Sequence, residues 1–192
     1  MPRTLYLTGD PDADGLLATD ANALLIGMLL DQQVTMEKAF SGPAVLAERL
    51  GGRLDVAAIA AMDPGEFVAL CSRTPAIHRF PKAMAERVQN LCRILVDSWD
   101  ADAANLFAAA STGRELKKLI GALPGFGEQK ARIFVALLGK QWGVTPDGWR
   151  EAAGDFGQDG HRSVADITSP ETLRLVREHK KEMKAAAKAS KG

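Results

Sequence analysis

The sequence predicts an all-α protein without a β-sheet, and three observations support that prediction. Alanine and leucine dominate the composition, and aromatic residues make up only 6% of the chain. β-branched residues rarely alternate with polar ones, as they would in strands, whereas apolar residues recur every three or four positions between capping sequences. We expect nine or ten short helices in one domain, since 192 residues suffice to bury a core.

Charge and cysteine content narrow the class of protein. The formal net charge is zero, so any affinity for nucleic acid must come from a local patch. Cys71 and Cys92 lie on predicted apolar helix faces and are expected to be buried thiols in a reducing compartment. Two cysteines cannot supply an iron–sulfur cluster or an all-cysteine zinc site. With no signal sequence and no apolar run of membrane-spanning length, we expect a cytoplasmic protein, associated with the nucleoid in a bacterium, and no membrane partner.

The first elements are an entry loop and two helices. Residues 1–15 are predicted to form an exposed loop with spaced aspartates, but an EF-hand needs a longer loop and a closing Glu. A helix then begins near Thr19 and ends in the segment Leu30-Asp31-Gln32-Gln33. Thr35 is predicted to cap the next helix, which Gly42-Pro43 should kink or split.

Capping sequences delimit the middle of the chain. Residues 63–66, Asp-Pro-Gly-Glu, combine a capping Asp, a proline at the first helical position and a glutamate three residues after the cap. The longest amphipathic helix is predicted over residues 81–99. Asp100 is expected to cap a short alanine-rich helix, and Thr112 with Glu115 forms a capping box that opens another.

The last third contains a helix, a glycine-rich loop and a basic helix. The helix should run from about residue 128 to 142 and end at Gly143, and the loop covers residues 154–163. Ser169-Pro170 then begins a terminal helix, in which residues 174–191 carry seven Lys or Arg and two Glu. This basic helix either follows the phosphates of a nucleic acid or is a solvated charged face with a frayed tail.

A tight helical hairpin is predicted at residues 116–140. Pro124 stops its first helix, and Gly125 and Gly127 allow backbone angles that other residues avoid. The first N–H groups of the second helix then have no partner, and with the helix dipole they favour an anion such as phosphate. The alternative is an ordinary αα-hairpin whose glycines only make the turn.

This hairpin, Leu-Pro-Gly-Phe-Gly followed by a polar residue, Lys and Ala, resembles that of the helix–hairpin–helix DNA glycosylases, the HhH-GPD superfamily. Leu30-Asp31-Gln32-Gln33 before it and Val144-Thr145-Pro146-Asp147 after it extend the resemblance over about residues 20–150. The resemblance implies a two-lobed helical bundle within one domain, residues 1–192. The central lobe would cover about residues 34–142, and the second lobe the N-terminal segment plus residues 143–192.

The resemblance also implies a partner, double-stranded DNA with a damaged or mismatched base, and gives residues a role in binding it. Gln33, beside Gln32, matches the position whose side chain fills the gap left by a flipped nucleotide; alternatively, both amides only cap helix carbonyls. The turn Gly125-Phe126-Gly127 would grip a phosphate without reading sequence. Lys130 would add charge or be an ordinary surface lysine, while the ring of Phe126 is expected to pack between the helices.

The resemblance assigns chemistry to two further positions. Asp147, 18 residues after Gln129, matches the catalytic aspartate, which would stabilise positive charge on the sugar or activate water; Thr-Pro-Asp-Gly is equally a plain turn sequence. Gln129 stands where bifunctional members carry a lysine that forms a Schiff base, and Lys130 lies about 100° around the helix. The resemblance therefore implies a monofunctional N-glycosylase without AP-lyase activity. We expect no cofactor and no iron–sulfur cluster, with room for a monovalent cation at the hairpin.

Three further side chains are candidates for a base pocket. Trp142 and Trp149 flank Asp147, and either indole would stack on a flipped base or belong to the core. His161 would donate to a base edge or be solvated. The segment before the first helix is short and the loop at 148–165 matches no family motif, so a catalytically silent damage-binding protein remains an alternative, as does a helical scaffold that binds no DNA. No obligate protein partner is implied.

Overall fold

The computed structural model describes residues 3–192, which form eleven α-helices and two 3-10 helices without a β-strand. The all-α prediction is confirmed, and the helices exceed the expected number because short helices carry little periodic signal. In chain order the helices are α1 Pro11–Thr19, α2 Ala21–Leu30, α3 Met36–Arg49, α4 Val56–Ala61, α5 Pro64–Ser72, α6 Pro81–Trp99, α7 Ala103–Ala109, α8 Gly113–Gly121, α9 Glu128–Gln141, α10 Trp149–Ala153 and α11 Pro170–Ala189. The 3-10 helices span Gly154–Gly157 and Val164–Asp166.

Helix α2 lies at the centre of the fold. Every residue of it except Asn22 is buried, and it packs against α1, α3, α6 and α7. Asp20 caps its start by accepting the N–H groups of Asn22 and Ala23 at 2.8 and 3.2 Å. Asn22 in turn accepts the N–H of Ala103 at 2.7 Å and so ties α7 to α2. Each fully buried leucine of α2 contributes about 1.5–3 kcal/mol to the stability of the fold. This packing holds α2, and therefore its C-terminal end, in a fixed position.

The N-terminal segment is not the exposed loop that the sequence predicts. Leu5 and Leu7 are buried in the core, and α1 begins at Pro11 with Asp10 as its cap. Asp14 is also buried, because its Oδ1 accepts the backbone N–H groups of Leu7 and Thr8, both at 2.9 Å. Residues 1 and 2 of the predicted loop lie outside the described part of the chain.

The structure decides two other local predictions. Helix α3 is not split at Gly42-Pro43, where a Cβ on Gly42 would lie 2.5 Å from Leu30 Cδ1, so glycine permits close packing on α2. Asp100 does not cap α7: it has a left-handed backbone with φ 55° and ends α6. Asp102 is the cap instead and accepts the N–H of Ala104 at 2.9 Å.

The other predicted boundaries are close to those observed. Thr35 caps α3, Asp63 caps α5 and Ser169 caps α11, and Gly143 follows α9 with φ 75°. Among the described helices, none alone has the length and hydropathy to cross a membrane; α1 and α2 pass that test only as a pair bent by 114°.

Candidate functional site

The hairpin joins α8 to α9 through a turn that leaves the start of α9 uncapped. Gly125 has φ 79°, which lets the chain reverse, and Gly127 is the N-cap residue. The first backbone bond of α9 runs from the Ala131 N–H to the Gly127 carbonyl at 3.0 Å, and the described residues offer no side-chain cap. The N–H groups of residues 128–130 are therefore free for an anion at the positive end of the helix dipole.

Two residues predicted near DNA are turned toward the protein instead. The Phe126 ring is buried, with its centroid 5.9 Å from that of Phe134, as the packing alternative predicted. Lys130 Nζ donates to the Leu29 carbonyl at 3.2 Å, and burial lowers the pKa of this amine. Lys130 therefore caps the C-terminal end of α2 and is not a free surface charge.

The two glutamines after α2 differ in their contacts. Gln32 Nε2 donates to the Leu29 carbonyl at 2.9 Å, and Gln32 Oε1 accepts from Arg87 Nη1 at 2.7 Å. Gln33 is exposed, has a left-handed backbone with φ 57°, and has no side-chain hydrogen bond within residues 3–192. Such a conformation costs a non-glycine residue of order 1–2 kcal/mol. Gln32 thus caps the helix, while Gln33 presents its amide to solvent.

The buried side chain of His78 is hydrogen-bonded to the segment of residues 31–33, which we call the glutamine segment. His78 Nδ1 accepts the Phe80 N–H at 2.9 Å, so its Nε2 carries the proton and donates to the Gln32 carbonyl at 2.8 Å. Desolvation lowers the pKa of this imidazole, which favours the neutral ring. Phe80 is 43% exposed beside it. Sequence reasoning missed both residues; the available signal was a phenylalanine directly before a helix-starting proline.

The hairpin turn and the glutamine segment form one continuous surface. A Cβ on Gly125 would lie 3.3 Å from Leu29 Cγ and 3.8 Å from Arg87 Cδ, so the turn packs directly on the end of α2. We call this surface, comprising residues 31–33, 78–80, 87 and 125–129, the hairpin face. Its proposed phosphate site and its exposed glutamine are held together by contacts between residues far apart in the chain.

Gln129 lies at the edge of the hairpin face and lines a cavity of about 830 Å³, the Gln129 cavity. Its walls mix apolar side chains, Ile133 and Phe156, with polar ones such as Arg162. Helix α11 supplies the opposite wall, including His179. A space with apolar walls and a few polar groups suits a heteroaromatic ring.

Asp147 lies in a different cavity, of about 460 Å³, between α8 and α10, which we call the Asp147 cavity. Its backbone carbonyl accepts the Gly113 N–H at 2.8 Å, and its exposed side chain shares the cavity with Arg114, Lys117 and Glu151. Thr112 caps α8 as predicted, but Glu115 Oε2 accepts from Ser111 and not from Thr112, so the capping box is offset by one residue. Asp147 and Gln129 do not share a wall.

The predicted base-pocket residues are not brought together. Trp142 is buried, donates from Nε1 to the Leu17 carbonyl at 3.1 Å and packs edge-on to Phe107, so the core alternative is correct for it. Trp149 is half-buried against α9, where its ring occupies the place that a Cβ on Gly139 would need. His161 is exposed in the loop between the two 3-10 helices.

The fold and the hairpin face define a helix–hairpin–helix protein of the DNA-binding type. A family model described as HhH-GPD superfamily base excision DNA repair protein matches residues 26–191. The chain therefore belongs to the HhH-GPD superfamily of base excision DNA repair proteins, as its sequence motifs indicated. Searches of curated proteins and of solved structures gave no match.

Proposed function

We propose that this protein is a monofunctional DNA glycosylase, which flips a damaged or mismatched base out of duplex DNA and hydrolyses its N-glycosidic bond. One observation carries the monofunctional part of the proposal. The amine of Lys130 donates to the Leu29 carbonyl, and by the family resemblance its neighbour Gln129 stands at the position of the lyase lysine. Gln129 cannot form a Schiff base, so the product is an abasic site in an intact strand.

The hairpin face supports the binding step. The free N–H groups at the start of α9 suit a backbone phosphate, and they read no sequence. Gln33 projects from a segment whose backbone is held by hydrogen bonds of Gln32 and His78, so little backbone entropy is lost when its side chain enters the gap left by the flipped nucleotide. Its amide both donates and accepts, which matches the orphaned partner base. These interactions offset the few kcal/mol that flipping costs.

In the proposed chemical step, a water oxygen bonds to the anomeric carbon while the C–N bond breaks. The departing base takes the bonding electrons and gains a proton, and the water loses one. Asp147 is our proposed carboxylate for stabilising the cationic sugar or accepting the proton of the water. Its exposed position beside Arg114 and Lys117 supports access to a DNA strand.

A panel of duplex oligonucleotides, each with one lesion or mismatch, tests this proposal. Free base and strand breaks are measured with and without alkali. We expect base release, with breaks only after alkali treatment, from at least one substrate. Strand cleavage without alkali would contradict the monofunctional mechanism.

Two substitutions then test the carboxylate. Asp147→Asn should abolish base release while leaving duplex binding intact. Asp155→Asn is the matched comparison, because Asp155 lines the Gln129 cavity and is also exposed. If Asp155→Asn alone abolished turnover, the catalytic role would move to the Gln129 cavity and our assignment of Asp147 would be wrong.

The second candidate function is a catalytically silent protein that binds damaged DNA. The separation of Asp147 and Gln129 into different cavities favours it. Tight binding to a duplex with an abasic analogue, together with no base release from any substrate in the panel, would establish this function in place of the first.

A further inference from the structure

Helix α11 is unusual in this fold because most of it contacts little else. Val176 is its only buried residue, and every side chain of residues 180–192 is exposed. Three turns of helix therefore extend past the last buried contact. Isolated helices of this length are marginal in water, so such a segment is expected to have a partner. We call residues 177–189 the C-terminal arm.

Positive charge is concentrated in the C-terminal region, residues 174–191. Residues 174–191 carry seven Lys or Arg and two Glu, a net charge of +5, in a protein whose net charge is zero. At about 100° per residue, the six basic residues that lie within the helix fall in an arc of about 120°. Glu178 and Glu182 lie outside that arc. Helix α11 therefore has a basic stripe about 21 Å long, from Arg174 to Lys188, at 1.5 Å per residue.

Ion pairs use only the first part of the stripe. Arg174 pairs with Glu178 within the helix, and Arg177 pairs with Glu37 at the start of α3. Within residues 3–192, Lys180, Lys181 and Lys184 have no carboxylate within ion-pair distance. These three amines are available to an anionic partner.

The arm lies beside the surfaces that would meet DNA. Its contact with Glu37 places it next to the glutamine segment, and the charge of Lys180 acts on the carboxyl of Asp31. On the other side the three lysines line the Gln129 cavity. The basic stripe thus continues the hairpin face, and its charge is complementary to the phosphates of a strand bound there.

We propose that the C-terminal arm is a second clamp on the DNA backbone, in which Lys181 and Lys184 bind phosphates of the strand that lies on the hairpin face. This rests on the proposed function, because it takes duplex DNA as the partner. The arm would contribute affinity without sequence preference, and its contribution would fall with rising salt as counterions are released.

The test compares two full-length double variants, Lys181→Gln/Lys184→Gln and the control Arg53→Gln/Arg73→Gln. Both remove two positive charges, but Arg53 and Arg73 lie near α4 and α5, away from the arm. The probe is a duplex with a central tetrahydrofuran abasic analogue, titrated at about 50 to 200 mM salt. Circular dichroism at each condition confirms that the variants keep the wild-type helicity.

We expect the slope of log Kd against log salt to fall by about one to two for the arm variant, since each phosphate contact contributes about 0.9, and to stay unchanged for the control. A Lys181→Arg/Lys184→Arg variant should keep the wild-type slope. Equal slopes for the wild-type protein and the arm variant, or an equal loss in the control, would overturn the clamp while leaving the glycosylase proposal standing. If the wild-type protein failed to bind the duplex at all, both proposals would fall together.

Discussion

The hairpin face and the C-terminal arm are both exposed, but they are held in different ways. The hairpin face is fixed by hydrogen bonds to the protein interior. The side chains of Lys130 and Gln32 both donate to the Leu29 carbonyl, and His78 donates to the Gln32 carbonyl. Within residues 3–192, the arm makes one ion pair with the body beyond its last buried residue, between the exposed Arg177 and the half-buried Glu37. On the functions we propose, this difference has a reason: placing one side chain in a DNA gap requires fixed geometry, whereas attraction to phosphates does not.

The same contrast between buried and exposed contacts predicts that removing a charge costs much more stability at a buried ion pair than at an exposed one. Lys140 Nζ lies 2.6 Å from Asp166 Oδ1, both side chains are nearly buried, and the pair anchors the loop that walls the Gln129 cavity. Lys140→Met leaves a buried carboxylate unpaired and should lower the free energy of unfolding by about 3–5 kcal/mol, measured by urea denaturation. Arg174→Gln, which breaks an exposed pair in α11, should leave that free energy unchanged within error. Similar losses of unfolding free energy in Lys140→Met and Arg174→Gln would contradict this prediction.

A second prediction concerns the packing that positions Asp147. A Cβ on Gly139 would overlap the Trp149 ring, so Gly139→Ala must displace α10 and the segment before it. We expect a loss of about 1–3 kcal/mol in the free energy of unfolding and, on the proposed mechanism, slower base release. Gly143→Ala is not a packing control, because φ there is positive; Gly15→Ala, where a Cβ meets open space, is the matched variant. An unchanged melting temperature in Gly139→Ala would show that α10 adjusts freely.

The third prediction separates stability from function at one residue. Gln33 has a left-handed backbone, so Gln33→Gly should raise the free energy of unfolding by about 1 kcal/mol as the strain is relieved. The same change should weaken binding to a duplex with an abasic analogue, because the inserted amide is lost. Gln32→Ala should instead lower stability, since that side chain caps α2. If Gln33→Gly bound the abasic duplex as tightly as the wild-type protein, Gln33 would have no role in filling the gap.

The smallest expected effect is a pH dependence of the free energy of unfolding, caused by His78, which is hydrogen-bonded to the Gln32 carbonyl. Burial lowers the pKa of His78 in the folded protein, so the unfolded chain binds the proton more readily. Above the pKa of His78 in the unfolded chain, about 6.5, the imidazole is neutral in both states and the folded protein keeps its full stability. As the pH falls from there toward the lower pKa of the folded state, the unfolded chain takes up the proton and the free energy of unfolding decreases. His78→Asn should flatten the dependence of the free energy of unfolding on pH between about 5 and 7.

Structural features that depend on residues close together in the sequence could be predicted, whereas features that depend on residues far apart in the sequence could not. Helix starts at Thr35, Asp63 and Ser169 were predicted because the capping side chain and the N–H it accepts lie within three residues. Asp100 was mistaken for a cap because Asp102, two residues on, has the same chemistry. The prediction of an exposed loop at residues 1–15 is wrong for Leu5 and Leu7, because their burial depends on distant helices.

The sequence by itself determined the helical class and the hairpin motif, since each depends on residues that are neighbours along the chain. Only the tertiary structure decided which side chains of those motifs face outward. Lys130 meets Leu29 across 101 residues, His78 meets Gln32 across 46, and Trp142 meets Leu17 across 125. Local periodicity cannot encode such pairings, because they arise when separate helices pack into one core and bury the polar groups that then require partners.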